Sequence, residues 1–188
     1  MKNILLNGNS NIGNKIFGTM LSGLESPVRY RFSSPEKLVR AAGVEAGQHV
    51  LEMGCGSGFF TPSIATMAGE NGQVQAIDLQ PVAVAETEAK VTELSLTNVN
   101  VTQANAEDTG FSANSFDLVL LYGVIPSPVI SVERLTAEIY RLLKPGGILA
   151  VWTIAPFWSP QSITQFSSFD YVGKVNGVHR FQKIGRYE

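Results

Sequence analysis

The chain has 188 residues, of which 44% are hydrophobic and 16% charged, with a mean hydropathy of +0.09 and a net charge of −2. That length holds one domain of ordinary size, the composition excludes wholesale disorder, and the charge argues against a dedicated nucleic-acid binder. The lone Cys55 excludes an intrachain disulfide and a cysteine-based cluster, and His49 and His179 stand too far apart to suggest zinc, so no metal is expected. Residues 7–14, rich in Asn, Gly and Ser, read as a flexible lead-in. Ser33-Ser34-Pro35-Glu36 then marks a helix start with a serine N-cap, and Leu38, Val39 and Ala42 form its buried face before Gly43 ends it.

From residue 49 onward the pattern becomes regular. His49–Met53 reads as a strand and Thr61–Ala68 as a helix closed by Gly69. Residues 73–79 read as a second strand, and residues 81–96 as a helix with Val84, Val91 and Leu94 as buried candidates. Val99–Gln103 is a third strand, and Phe116–Tyr122 a fourth with the continuous apolar run of a buried parallel strand. Residues 129–143 read as a helix stopped by Lys144-Pro145-Gly146-Gly147, and residues 148–154 as a fifth strand. Two strand-like runs around Asn176-Gly177 predict a terminal antiparallel hairpin. Alternating strands and helices predict an α/β fold, a parallel sheet covered on both faces.

The apolar stretch at the amino end breaks at Asn7, too short for a secretory signal, and no apolar run reaches the ~18 residues of a membrane span. The expected location is therefore cytoplasmic. Nothing in the sequence sets the oligomeric state. Charge is unevenly spread: residues 1–50 carry +3, residues 51–130 carry −8 and residues 131–188 carry +3. An acidic centre fits either a solvated surface or a site for a neutral or cationic ligand.

Gly54-Cys55-Gly56-Ser57-Gly58 follows the first strand and opens a helix. Glycines there permit a tight turn and a close backbone approach to a ligand. The spacing is G-x-G-x-G; the dinucleotide fingerprint would need glycine where Phe59 stands, and no Gly-Lys-Ser/Thr follows to make a phosphate loop. Asp78 ends the second strand 20 residues after Gly58, where an acid can accept hydrogen bonds from both hydroxyls of a ribose. Asn105-Ala106-Glu107-Asp108 follows the third strand and would border the same cleft, with a side-chain acceptor and a backbone N–H placed to read an adenine edge.

On these segments the chain resembles the class I S-adenosylmethionine-dependent methyltransferases. The matching runs are VLEMGCGSGFF (50–60), QAIDLQ (75–80), NAEDTGFSANSFDLVLLY (105–122) and RLLKPGGILAV (141–151), within a resemblance that covers residues 35–184. It is nearest to the small-molecule, ubiquinone/menaquinone-biosynthesis-like branch. The resemblance implies a doubly wound, Rossmann-like three-layer sandwich, its mostly parallel seven-stranded sheet in the order 3-2-1-4-5-7-6. Residues 35–188 are then the S-adenosylmethionine-binding domain, and residues 1–34 are expected as a lid or flexible segment, with the strand-four loop and residues 155–169 also bordering the methyl acceptor. The resemblance also implies that Glu52, Gly54, Cys55, Gly56 and Gly58 cradle the methionine part, that Asp78 takes the ribose and Leu79 the adenine, and that Asn105, Ala106 and Glu107 border the adenine. Tyr122 would face the methyl group. The family most often has Asp where Asn105 stands; the amide oxygen still accepts a hydrogen bond, with one negative charge fewer.

The implied activity is transfer of the methyl group of S-adenosylmethionine to a small, partly apolar acceptor by in-line displacement, with S-adenosylhomocysteine as product. Alignment alone can supply ~7–11 kcal/mol, so no catalytic residue is required and none is assigned. Candidate acceptor contacts are Tyr30, Phe32, Tyr122, Phe157 and Trp158. Two other readings stay open: a module that binds the cofactor without transferring it, and a nucleotide-dependent oxidoreductase, which the glycine spacing and the terminal hairpin disfavour.

Overall fold

The computed structural model describes residues 34–153, 155, 158–165 and 168–185. The expected lid, Ser34 excepted, and the acceptor candidates Tyr30, Phe32 and Phe157 lie outside the described residues. The elements in chain order are α1 (Pro35–Ala42), β1 (His49–Met53), α2 (Thr61–Ala68), β2 (Gln73–Asp78), α3 (Pro81–Glu93), β3 (Val99–Gln103), β4 (Phe116–Tyr122), α4 (Val132–Leu142), β5 (Leu143–Trp152), a 3₁₀ turn (Pro160–Gln165), β6 (Phe169–Val175) and β7 (Val178–Lys183).

The strands form one seven-stranded sheet in the order β3-β2-β1-β4-β5-β7-β6, as expected. Pairing is parallel from β3 through β5 and antiparallel for β5–β7 and β7–β6. From β1 the chain runs outward through β2 to β3, then crosses back to β4 on the other side of β1 and runs on to β5, so a crevice opens at the carboxyl edge between β1 and β4. Alternation along β1 explains the two cores. Val50 joins Val39, Ala42, Phe60 and Ile64 of the α1–α2 layer, whereas Leu51 and Met53 join Leu135, Ile139 and Leu142 of α4. No helix of the described residues is long and apolar enough to cross a membrane.

Ser34 is the N-cap of α1 and Pro35 its first residue, as expected, although the Ser34 side chain makes no cap bond; Pro35 has no N–H that needs an acceptor. Three local expectations are corrected. In α3 the buried positions are Ala83 and Thr87, while Leu94 lies beyond the helix and is 50% exposed. Small residues there let the helix sit close over the glycine loop. Helix α4 begins at Val132, because residues 123–131 form a loop that the apolar spacing alone could not distinguish from a first turn. β5 starts at Leu143, directly from α4, so Lys144-Pro145-Gly146-Gly147 is a kinked strand start and not a separate stop. The register against β4 shifts between Phe116 and Leu118, and a Cβ on Gly147 would stand 3.1 Å from the Asp117 carbonyl oxygen. Only glycine lets the two backbones approach so closely.

Candidate active site

After Met53 the chain turns sharply through residues 54–60 into α2. The Gly54 and Cys55 N–H groups both donate to the Ile77 carbonyl, at 2.8 and 3.0 Å, tying the loop to β2. Gly54 has φ +75°, and a Cβ there would lie 2.5 Å from Val124 Cγ2. Glycine therefore lets the β4–α4 loop close over the turn. Helix α3 holds the loop from the other side: Thr87 Oγ1 donates to the Gly56 carbonyl at 3.0 Å, and Lys90 Nζ to the Ser57 carbonyl at 2.8 Å.

Asp78 closes the crevice. Its Oδ2 accepts the Gly56 N–H at 3.1 Å and its Oδ1 the Gln80 N–H at 2.9 Å. A carboxylate offers about four acceptor positions, so two remain. Burial raises its pKa, against the lowering effect of these backbone donors. Around it lies a cavity of about 460 Å³. The glycine loop and Asp78 form one wall; Leu79, Asn105, Ala106 and Glu107 form a rim; Tyr122, Gly123, Val124 and Pro126 stand opposite. Leu79 is 46% exposed. Asn105 Oδ1 accepts the Glu107 N–H at 3.0 Å, which orients its amide.

Three of the expected site residues sit differently from the sequence reading. Glu52 does not line this cavity: it is 3% exposed beneath the glycine loop, and Thr61 Oγ1 donates to its Oε2 at 2.6 Å. Burial pushes its pKa up to about 8, so near neutral pH it is largely protonated. Tyr122 contributes to the cavity wall, but its hydroxyl donates to the Leu38 carbonyl of α1 at 2.8 Å, and its ring packs edge-on against Phe60. Trp158 packs against the α4-side core and is not among the cavity's lining residues. The loop after strand four, expected from the sequence to border the acceptor and marked there by Pro126 and Pro128, supplies Gly123, Val124, Pro126 and Ile130 to the lining; Gly123, Val124 and Ile130 are residues that the sequence did not single out.

Because the Tyr122 hydroxyl satisfies a buried carbonyl, Tyr122→Phe is expected to lower stability by ~1–3 kcal/mol while leaving cofactor affinity unchanged. Urea unfolding and calorimetric titration check the two halves; a large loss of affinity at unchanged stability would move the hydroxyl into the binding site.

The acidic centre also resolves. Asp117 pairs with Lys144 at 2.7 Å and Glu107 with Arg134 at 3.0 Å, so part of the −8 of residues 51–130 is balanced by bases of the last third of the chain.

A methyltransferase-domain family model matches residues 50–147, just over half of the chain, and spans β1 through the start of β5. The chain belongs to the class I S-adenosylmethionine-dependent methyltransferases. The cofactor that goes with this membership is S-adenosylmethionine. Among curated relatives, the chain is 34% identical over 144 residues to the ubiquinone/menaquinone biosynthesis C-methyltransferase UbiE of Haemophilus ducreyi, covering 74% of this chain and 55% of the relative. It is 33% identical over 141 residues to the UbiE of Psychromonas ingrahamii, covering 73% and 55%. The chain thus spans about half the length of the curated relatives it matches. Among solved structures, an S-adenosylmethionine-dependent methyltransferase from Aquifex aeolicus superposes with a TM-score of 0.70 at 24% identity, over 88% of this chain and 96% of that one, and shares the fold. An arsenic(III) S-adenosylmethionine methyltransferase from Chlamydomonas reinhardtii is 32% identical, with a TM-score of 0.52 over 58% of this chain and 39% of that one.

Proposed function

We propose that this chain transfers the methyl group of S-adenosylmethionine to a small, partly apolar acceptor. The observation that carries the reading is the cavity at the carboxyl edge of the sheet, where Asp78, the glycine loop and the Leu79–Asn105 rim meet an apolar loop. When bound, S-adenosylmethionine supplies an electrophilic methyl group on a sulfonium.

The residues present fit that cofactor. The two spare acceptor positions of Asp78 suit the two ribose hydroxyls. Half-exposed Leu79 offers an apolar surface for adenine. The Asn105 amide and the Ala106 N–H lie where the purine edge would fall. The turn at Gly54 and Gly56 brings backbone, with no Cβ in the way, to the methionine part. Glu52 supports this loop from beneath.

The acceptor would lie against Tyr122, Gly123, Val124 and Pro126, which exclude water and orient it. Alignment of the reactants is the chemical contribution asked of these residues. The relatives named C-methyltransferases favour a carbon as the accepting atom. Residues 1–34, with Tyr30 and Phe32, are proposed as a lid over the domain of residues 35–188, and Phe157 as a further acceptor contact.

Calorimetric titration with S-adenosylhomocysteine tests the binding half. A panel of quinol, phenol and amine acceptors with labelled cofactor tests transfer. Micromolar binding with labelled product is the expected outcome. Binding without turnover across the panel would favour a binding module that transfers nothing, and no binding would overturn the whole reading.

A further inference from the structure

We infer that Glu107 is a positioning residue that couples the adenine-side loop after β3 to the acceptor-side loop between β4 and α4; the inference rests on the function proposed above. Sequence reading placed Glu107 among the cofactor contacts, yet its carboxylate is committed elsewhere. One oxygen accepts the Ser131 N–H at the N-cap of α4. The other pairs with Arg134 Nη2 at 3.0 Å. Its own backbone N–H meanwhile holds Asn105 Oδ1 at 3.0 Å. One residue thus grips Asn105 through its main chain and the first turn of α4 through its side chain.

The two carboxylate contacts are not equal. Arg134 is 70% exposed, where water and salt weaken an ion pair. The Glu107 side chain is only 13% exposed, and it faces the positive end of the 11-residue helix α4, where a carboxylate is favoured. The Ser131 contact is therefore the durable one. A second tie makes α4 follow as a unit. Thr109 donates to Glu138 Oε1 through its N–H at 3.0 Å and its hydroxyl at 2.6 Å, and Arg141 bridges Glu138 to the Phe111 carbonyl.

Residues 123–130 run between fixed ends. Tyr122 anchors one end in the sheet, and Ser131 anchors the other on Glu107. Gly123, Val124, Pro126 and Ile130 of this stretch line the cavity that holds Asp78 and Asn105. Ordering of Asn105 by adenine would therefore be transmitted through Glu107 to the far end of the acceptor loop. The cofactor would prepare the acceptor side without touching all of it, a coupling between two sites in the thermodynamic sense.

Hydrogen–deuterium exchange on the full chain, with and without S-adenosylhomocysteine, tests this. In the wild type the ligand is expected to protect segments 54–58, 78–80 and 123–131. In Glu107→Ala, protection of 54–58 and 78–80 persists while that of 123–131 falls by about tenfold, the size of an ordinary coupling between sites. Glu107→Gln, whose amide oxygen still accepts the Ser131 N–H, restores it; a purely structural role would not separate the segments in this way. Should Glu107→Ala not fold, Ser131→Pro reads the same contact, since it deletes the donor at a φ of −77° that proline accepts. Ser131→Ala, which keeps the N–H, is its control. Ligand binding without protection of 123–131, or protection that survives loss of the Glu107–Ser131 bond, overturns the coupling. Failure of the wild type to bind S-adenosylhomocysteine overturns the proposed function instead.

Discussion

Asp78→Ala is expected to lower affinity for S-adenosylhomocysteine by roughly 10²–10⁴-fold, because two hydrogen bonds to a charged acceptor are each worth ~1.5–3 kcal/mol. The substitution also strips the Gly56 N–H of the acceptor that now orients it at 3.1 Å. Asp78→Asn should fall between the two, since the amide keeps one oxygen but replaces the other with a donor. A pH dependence follows from the burial that raises the Asp78 pKa. Only the ionised carboxylate accepts from both hydroxyls and both backbone donors. Affinity should therefore weaken as pH falls, beginning above the range of an ordinary aspartate, and this component should vanish in Asp78→Asn. Calorimetric titrations at several pH values measure both effects. Unchanged affinity in Asp78→Ala would remove this residue from the site.

The second large effect concerns stability. Glu52 titrates near 4.5 in an unfolded chain and at about 8 in the folded one, with burial as the first cause and neighbouring Asp78 adding to it. Between those values the folded state holds a proton that the unfolded state has released. Its contribution is therefore fully present below the unfolded pKa and is lost as pH rises through the folded one. At 1.36 kcal/mol for each pKa unit, the loss from pH 4.5 to about 8 amounts to about 3–5 kcal/mol. Glu52→Gln keeps an acceptor for the Thr61 hydroxyl and cannot ionise. It should flatten this component of the pH profile and leave the variant more stable than wild type at pH 9, by ~6–20 °C in Tm for a chain of this size. Denaturation at pH 5 and pH 9 distinguishes the two proteins. Parallel pH profiles would mean that Glu52 is ionised without penalty, and so is far better solvated than its burial implies.

Glu52 also marks where sequence reasoning stopped. Its place in VLEMGCGSG pointed to a role beside the glycine loop, and the structure puts it under that loop. Period-2 alternation sends Val50 and Glu52 to one face of the sheet and Leu51 and Met53 to the other, but it does not say whether that face meets a ligand or a helix. Helix α2 and Thr61 cover it here. Tyr122 repeats the lesson. Its position at the end of β4 was legible, but the direction of its hydroxyl depends on α1, which approaches from 84 residues away in sequence.

What the sequence determined by itself was the periodic part of the molecule. The alternation of strands and helices, the glycine turn after β1, the acid ending β2 and the Asn-Gly hairpin are written in short-range patterns, because side-chain period and turn chemistry act over a few residues. The family resemblance carried the strand order, and the sheet follows it. Long-range packing decided the rest. The −8 centre fitted either a solvated surface or a site for a neutral or cationic ligand, and once folded it divides: Glu52 is buried and protonated, Asp117 and Glu107 pair with Lys144 and Arg134, Asp78 stands at the cavity, and Glu70, Glu88 and Glu93 stay exposed. Formal charge counts assume solvent around every group, whereas the fold sets the burial and the partner of each one, and those two quantities determine what a carboxylate can do.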